Sequence, residues 1–250
     1  MEKVIYTVLT GAYDRLQQPE VISPDWKYVC YTDAPAGQDG VWELRPIPFE
    51  GTPLERARWV KLHPHILFPE AGLSVFMDAN LCITGEAFYG PMERPAQTLV
   101  AGLPHLRRDC VYEELRYCYL KDKLGTRAFI RHGRRLREMG MPRHAGLYET
   151  NILWRRHLDP AVVALDEAWW DLMLSSCMRD QLSFTPALRT CNLEPELLFG
   201  PGNNARNVPF VRYSVHPATG RENVPGKLNW ANVKYRLRLW WRQLVLLCRR

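Results

Sequence analysis

Asp78 and Asn80 are the residues whose types and spacing point most directly to chemistry. They follow an apolar run at 72–77, which has the length and composition of a buried strand. In open α/β sheets, ligands bind beyond the carboxyl ends of the strands, where carboxylate and amide oxygens suit Mg²⁺ or Mn²⁺ against a diphosphate. Asp and Asn are also common turn residues. The Asp78-Ala79-Asn80 triplet therefore indicates either a cation and phosphate site or a plain turn.

Basic side chains precede this run on a predicted helix. Arg58 and Lys61 are three residues apart and share a helical face, whereas Arg56 lies about 160° from Arg58 around the axis. Two cations on one face would neutralise a nucleotide diphosphate. A solvated helical face is the alternative.

Two further strand ends carry residues that suit a nucleoside. The second predicted strand closes at Asp33, whose carboxylate could accept a hydrogen bond from a base or a ribose. The first ends in a turn with an aromatic that could stack on a base, at Thr10, Gly11, Tyr13 and Asp14.

Other polar groups cluster before or within later elements. His105 and Arg108 precede two glutamates, Glu149 precedes an apolar run, and Asp180 and Gln181 open a short helix. A salt bridge or a helix cap is the alternative for each of them. The chain has no GxSxG, Walker A, GxGxxG or HExxH motif, which disfavours serine hydrolases, P-loop enzymes, Rossmann dehydrogenases and zincins.

Alternating strands and helices must position these residues. Thr52-Pro53-Leu54-Glu55 predicts a capped helix start. The patterns predict strands at 3–10, 27–32, 41–47, 72–77, 97–103 and 147–154, and helices at 53–64, 110–121, 127–139, 160–175 and from 180. The order favours an α/β domain with a largely parallel, buried sheet, followed by a loop-rich return at 200–226.

The composition is that of a globular protein of 250 residues, with 46% hydrophobic residues. No stretch approaches the roughly 18 apolar residues of a membrane span, and no signal-peptide pattern precedes the first strand, so we expect a cytoplasmic, bacterial-type protein. Seven cysteines without a CxxC pair favour reduced thiols. A zinc site from Cys110, Cys118 and a distant histidine is an alternative without the expected spacing.

The positive charge is concentrated at the end of the chain. The net charge is +6, but residues 227–250 carry seven basic residues and no acidic ones, which leaves −1 for residues 1–226. This balance does not indicate nucleic-acid binding. Tryptophans and leucines at helical spacing predict a basic amphipathic helix that lies on a membrane surface, or packs on its own domain or a second subunit. We therefore expect a domain at 1–226 and an appended helix at 227–250.

Taken in order, the motifs resemble a known family. YTVLTGAYD, WKYVCYTD, RARWVKLHP, FMDAN, HLRRDCVYEE, GLYETN and WW…RDQLSF are similar to a glycosyltransferase-like domain family over residues 4–190. Its members include plant Golgi proteins implicated in seed-mucilage pectin and bacterial proteins of polysaccharide loci. The resemblance implies a GT-A-like fold, one α/β/α sandwich with a mixed, mostly parallel sheet. It also implies transfer of a sugar from a nucleotide-sugar donor.

The resemblance also implies residue functions. Asp78-Ala79-Asn80 would replace the D-x-D motif that holds Mn²⁺ or Mg²⁺, with an amide in place of its second carboxylate and His216 as a third ligand. Thr10, Gly11, Tyr13, Asp14 and Asp33 would contact the nucleoside, and Arg58 and Lys61 the diphosphate. Asp180 would be the catalytic carboxylate, with Glu149 as its alternative and Gln181 beside it. The sugar pocket would contain His105, Arg108, Gly146 and Trp170.

The expected acceptor is a bacterial surface saccharide such as lipopolysaccharide, O-antigen or capsule, or a lipid-linked sugar at the inner face of the cytoplasmic membrane. One alternative is a non-catalytic nucleotide- or carbohydrate-binding domain of the same fold. A lipid hydrolase, an activity proposed for a plant relative, ranks last because the sequence offers neither its nucleophile nor a compact zinc cluster.

Overall fold

An eight-stranded mixed sheet forms the centre of the protein, in the order β3-β4-β2-β1-β5-β8-β7-β9. The computed structural model describes residues 2–11, 14–35, 37–214, 237, 240–243, 245 and 246. The sheet strands are β1 (Glu2–Leu9), β2 (Lys27–Thr32), β3 (Gln38–Asp39), β4 (Trp42–Pro46), β5 (Ala71–Met77), β7 (Val100–Pro104), β8 (Tyr148–Arg155) and β9 (Glu196–Leu197). A separate antiparallel pair consists of β6 (Leu81–Ile83) and β10 (Val211–Tyr213).

Six helices connect these strands. They are α1 (Pro53–Leu62), α2 (Pro64–Leu67), α3 (Val111–Leu120), α4 (Thr126–Glu138), α5 (Pro160–Ser175) and α6 (Asp180–Thr190), in the part of the chain before residue 215. The start of α1 confirms the predicted capping box, because the Thr52 side chain accepts from the Glu55 N–H and the Glu55 side chain accepts from the Thr52 N–H. Asp159 caps α5 by accepting from the N–H of Ala161 at 2.9 Å.

The strand directions confirm the α/β class with a mixed, mostly parallel sheet. β4, β2, β1 and β5 run parallel to one another. β8 lies between β5 and β7 and is antiparallel to both, and β3 pairs antiparallel with β4 at the sheet edge.

Successive side chains along each strand point to opposite faces of the sheet and pack into two hydrophobic cores, one on each face. Tyr6 and Phe76 pack with α1, α5 and α6 on one face. Ile5 and Val75 pack on the other face, which is covered by the segments at 86–92 and 198–211. A third cluster joins α3, α4 and the start of α6.

The six cysteines that the structure describes are free. Within the same residues, no helix combines the length and hydropathy needed to cross a bilayer.

A fully buried polar network ties the sheet to the end of α1. Arg155 on β8 donates to Asp166 Oδ1 on α5 at 2.7 Å, to the hydroxyl of Tyr6 on β1, and to the carbonyl of Lys61 at 2.7 Å. The Tyr6 hydroxyl donates to the same carbonyl at 2.7 Å. Arg155 and Asp166 are both 0% exposed. The last turn of α1 is therefore fixed to two strands through one carbonyl oxygen.

We expect Asp166→Ala to destabilise the protein by about 3–5 kcal/mol, because it leaves the Arg155 guanidinium buried without its counter-charge. Urea unfolding gives the free-energy difference. Asp159→Ala in the same helix removes only a cap and should cost about 1 kcal/mol. Equal losses for the two variants would contradict the prediction.

Candidate functional site

One edge of the central sheet collects most of the predicted site residues. The carboxyl ends of β1, β2, β4 and β5 share this edge, and β7 ends there too because β7 and β5 are both antiparallel to β8. Four of these residues directly follow a strand: Thr10 follows β1, Asp33 follows β2, Asp78 follows β5 and His105 follows β7. Glu149 is the second residue of β8, which begins at the same edge.

Asp78 lies at the end of β5 with 37% of its side chain exposed. Its N–H donates to the carbonyl of Asn151 at 2.9 Å and its carbonyl accepts from the N–H of Leu81 at 3.0 Å. The distance from Oδ1 to Lys61 Nζ is 4.0 Å, too long for a hydrogen bond. Partial burial raises the pKa of Asp78. The positive charge of Lys61 lowers this pKa, and the negative charge of Asp180 raises it further. Asp78 thus offers an accessible carboxylate at the edge of the sheet.

Asn80 belongs to the same turn but is buried, at 2% exposure. Its Nδ2 donates to the carbonyl of Ser214 at 3.0 Å, and the Ser214 N–H donates to the Asn80 carbonyl at 2.9 Å. These bonds attach the end of β10 to the Asp78 turn. His216, the third predicted metal ligand, lies outside the described residues.

A buried ion cluster lies beside Asp78. Lys61 Nζ donates to Asp180 Oδ2 at 2.5 Å, and Thr150 Oγ1 donates to the same oxygen at 2.8 Å. Arg58 Nη1 is 3.2 Å from that oxygen. The Lys61 and Asp180 side chains are 1% and 8% exposed. Burial alone would raise the pKa of Asp180, but Arg58 and Lys61 hold it well below its usual range. Asp180 is therefore ionised and a weak proton acceptor.

The ends of β1 and β2 are joined through Asp33. Gly11 N–H donates to Asp33 Oδ2 at 2.7 Å, and Thr10 Oγ1 donates to the carbonyl of Pro53 at 2.9 Å. Gly11 has a φ of +61°, and an added Cβ would lie 3.3 Å from Pro53 Cβ. The turn therefore approaches the start of α1 closely. Asp14 is near enough to raise the pKa of Asp78, and Tyr13 lies outside the described residues.

His105 and Arg108 are engaged with each other and with α3. His105 Nδ1 accepts from the N–H groups of Arg107 at 3.2 Å and Arg108 at 3.0 Å. Arg108 Nε donates to Glu114 Oε2 at 2.6 Å. Burial lowers the pKa of His105, which agrees with a neutral ring that accepts at Nδ1. These contacts shape the loop after β7.

Glu149 lies near three residues that sequence reasoning did not assign. Its Oε2 accepts from Asn151 Nδ2 at 3.3 Å and is 3.6 Å from Arg206 Nε. Arg206 lies over the ring of Tyr213 at 4.4 Å. Asn151 Oδ1 is buried without a hydrogen-bond partner among the described atoms. Asn151 ends the GLYETN motif, so its type was visible in the sequence. Arg206 lies in the predicted loop-rich return.

Three other predicted residues have different surroundings. Trp170 packs in the core, with its ring 5.7 Å from Phe49 and 5.5 Å from His63, and is 7% exposed. Gly146 lies in the turn before β8, and Gln181 follows Asp180 in the first turn of α6. None of the predicted site residues lines a separate cavity of about 560 Å³, which lies between Arg94, Phe199 and Phe210 among other residues.

We expect Asp180→Asn to lower the free energy of unfolding by about 3 kcal/mol at neutral pH, because the substitution leaves Lys61 buried without its closest carboxylate. A carboxylate with a lowered pKa stabilises the fold above the pKa of the unfolded chain, about 3.9, and loses this contribution as the pH falls. Urea unfolding between pH 7 and pH 3.5 should therefore show that the difference in unfolding free energy between the wild type and Asp180→Asn becomes smaller below pH 4. Exposed Asp25→Asn is the control, and a gap independent of pH would contradict the prediction.

Comparisons with known proteins give distant structural similarity alone. No family model matches the chain, and no curated protein matches its sequence. The crystal structure of mouse xyloside xylosyltransferase 1, apo form, is 9% identical with a TM-score of 0.43, over 77% of this chain and 83% of that one. The apo structure of WbbM, a bifunctional glycosyltransferase, is 9% identical with a TM-score of 0.39, over 74% of this chain and 36% of that one. Similarity at this level does not identify a function.

Proposed function

We propose that the protein is a nucleotide-sugar-dependent glycosyltransferase with its donor site at the Asp78 edge of the sheet. The observation that carries this proposal is the pair of cations on α1, Arg58 and Lys61, held beside an accessible carboxylate where the β1 and β2 ends also meet. The ordered motifs that resemble glycosyltransferase-like domains supply most of these residues.

The cations match the charge that such a reaction develops. Breaking the bond between the anomeric carbon and oxygen releases a nucleoside diphosphate, so preorganised positive charge beside the diphosphate lowers the barrier. Lys61 is 1% exposed and bonded at both its carbonyl and its ammonium group, so little reorganisation is needed. Arg58, with 18% of its side chain exposed, presents a second cation nearer to solvent.

The oxygen donors of the Asp78 turn fit Mg²⁺ or Mn²⁺. Asp78 has an accessible carboxylate whose ion pair with Lys61 is 4.0 Å long, and Asn80 lies two residues away on the same turn. When bound, the cation would supply positive charge to the diphosphate oxygens. Asp78 and Asn80 would hold it, with His216 as a further candidate from the sequence.

The remaining residues divide between the nucleoside, the sugar and the acceptor. Thr10, Gly11 and Asp33 form the turn that would receive the nucleoside, with Tyr13 and Asp14 following it. His105, Arg108 and Gly146 shape the loops around the sugar.

The geometry favours Glu149 over Asp180 as the general base that takes the proton from the hydroxyl group of the acceptor sugar. Asp180 is fully committed to two cations and a hydroxyl, so its contribution would be to position Lys61. Glu149 is 12% exposed and has one cation at 3.6 Å. An inverting reaction needs a carboxylate that takes up a proton, and the lowered pKa of Asp180 makes that residue poorly suited to the step.

Asp78→Ala should reduce transfer by at least about 100-fold, because it removes a charge that acts on the leaving group directly or through a cation. A thermal-shift screen of UDP, GDP, ADP and CDP with and without Mn²⁺ first identifies the base, since a ligand of the native state raises its stability. Release of that diphosphate from its nucleotide sugars then measures activity. Asp25→Ala is the matched control, and full activity in folded Asp78→Ala would refute the proposed site.

A non-catalytic nucleotide- or carbohydrate-binding domain is the second candidate. It is favoured by Asn80, whose amide stands where a second metal carboxylate is expected and donates to Ser214. Both candidates predict that a nucleoside diphosphate raises the unfolding temperature. Only the enzyme would slowly hydrolyse a nucleotide sugar in the absence of an acceptor.

We also propose that residues 227–250 attach the domain, residues 1–226, to the inner face of the cytoplasmic membrane, where the acceptor is a bacterial surface saccharide or its lipid-linked precursor. Arg242 donates to Asp122 and to the carbonyls of Tyr119 and Leu124, while Val245 and Leu246 pack against the third cluster. These contacts hold the helix to its own domain. Three large apolar side chains point away from it and are 58–60% exposed, namely Leu237, Trp240 and Trp241.

The charge of this segment agrees with an anionic surface. Residues 227–250 contain seven basic and no acidic residues, and each basic residue contributes about 1 kcal/mol near anionic headgroups. Tryptophan is favoured at the level of the headgroups. The segment would thus combine two of the three alternatives left by the sequence, because the contacts of Arg242, Val245 and Leu246 hold it to the domain and its tryptophans would enter the membrane surface.

Replacing Trp240 and Trp241 by serine should weaken binding to vesicles containing phosphatidylglycerol by about 10-fold or more, because two large apolar groups no longer enter the interface. Vesicle co-sedimentation at low salt measures the binding. Ile22→Ser with Ile66→Ser removes two equally apolar exposed side chains elsewhere, each 53% exposed, and should have no effect. Equal binding by both double variants would contradict a membrane contact through this segment.

A further inference from the structure

A second set of metal-ligand residues lies outside the donor site. One ligand atom from each of Cys110, Glu113 and His144 lies within 4.8 Å of the other two. None of these residues takes part in the Lys61 and Asp180 cluster. Thiolate, imidazole and carboxylate are all donor types of tetrahedral zinc sites, and small side-chain movements would bring the three atoms to zinc-ligand distances.

Two separate parts of the chain supply this set. Cys110 is the N-cap of α3 and Glu113 lies in the first turn of that helix, so a spacing of three residues places them on one side. His144 comes from the loop between α4 and β8, where its φ is +54°. That value lies in the left-handed region, which is uncommon for residues other than glycine but which histidine adopts more often than most.

Asp109 orients the histidine. His144 Nδ1 is 2.7 Å from Asp109 Oδ1, a distance at which the tautomer protonated at Nδ1 donates to the carboxylate and keeps the Nε2 lone pair for a metal ion. A histidine that ligates a metal usually donates its other ring N–H to a carboxylate or carbonyl in this way. Asp109 is 65% exposed and His144 56%, whereas Cys110 is fully buried, so an ion from solvent would reach the thiol from the side of the histidine.

From this geometry we infer that Cys110, Glu113 and His144 bind Zn²⁺, with Asp109 as the positioning residue and an open fourth position. The soft thiolate and the imidazole select Zn²⁺ or Co²⁺ over Mg²⁺ and Mn²⁺, which prefer oxygen ligands alone. The bound ion ties the start of α3 to the loop before β8. Both segments border the loop of His105 and Arg108, so the metal stabilises that part of the fold and is independent of the cation proposed for the diphosphate.

Cys118 provides a test of the ligand choice. Its Sγ lies 3.2 Å from Glu114 Oε1, inside the third cluster, and it is not part of the Cys110 set. Cys118→Ser therefore removes a buried thiol of the same helix without removing a proposed ligand.

The experiment is a Co²⁺ titration of the full-length, chelator-treated protein, followed by the thiolate-to-cobalt band in the near ultraviolet and the visible bands of tetrahedral Co²⁺. We expect one equivalent to bind in the wild type and in Cys118→Ser, and Zn²⁺ to displace it. Cys110→Ser should lose the thiolate band. His144→Ala should weaken binding by at least 100-fold and Asp109→Asn by about 10-fold.

Circular dichroism establishes that each variant is folded, and Zn²⁺ should raise the unfolding temperature of the wild type and of Cys118→Ser but not that of Cys110→Ser. The inference is overturned by an unchanged thiolate band in Cys110→Ser, by its loss in Cys118→Ser, or by the absence of tetrahedral Co²⁺ bands in the wild type. These measurements involve no glycosyl transfer, so they test the zinc site independently of the proposed function.

Discussion

The structure around the candidate site depends on one residue, Lys61, which is held at both ends. Its carbonyl accepts hydrogen bonds from Arg155 and Tyr6, and its ammonium group donates to Asp180. A buried ammonium group is stable only when it is paired, because its transfer from water costs several kcal/mol. The Phe76 ring, with its centroid 4.7 Å from Nζ, adds a favourable face. Through this residue α1, α6, β1 and β8 adopt one arrangement.

The two carboxylates near Lys61 differ in what they leave available. Asp180 is enclosed and balances the buried charge, whereas Asp78 is open and lies 4.0 Å from the same ammonium group. Without a ligand, two cations and two carboxylates leave the cluster close to neutral. A diphosphate that brings its own divalent cation would add little net charge while it contacts Arg58 and Lys61. For the function proposed above, the arrangement would therefore accommodate a metal-bound diphosphate more readily than either ion alone.

The sequence predicts what is encoded locally. The capping box at Thr52 starts α1, the buried run of β5 ends at Asp78, and α5 begins at Pro160, all where the patterns indicate. The central ion pair is different, because Lys61 and Asp180 are 119 residues apart and neither flanking sequence specifies the other. The same applies to β8, whose apolar run fits either strand direction. The two-residue strands β3 and β9 depend on their partners for their conformation and lack a pattern of their own.

The cysteines at the start of α3 and within it show that residues close in the sequence can belong to different environments in the fold. Cys110 and Cys118 are the obvious pair in the sequence, yet the structure places each beside a different glutamate, Glu113 and Glu114. Consecutive helical residues point about 100° apart, so these two carboxylates serve separate environments, one open to solvent and one enclosed. The histidine that completes the open set comes from the loop after α4. Its position is fixed by the packing of α4 on α3, which no ligand spacing in the sequence records. If both proposals hold, thiol and imidazole donors at α3 and oxygen donors at the Asp78 turn would differ in metal preference, so a chelator selective for zinc would act on the first site and spare the second.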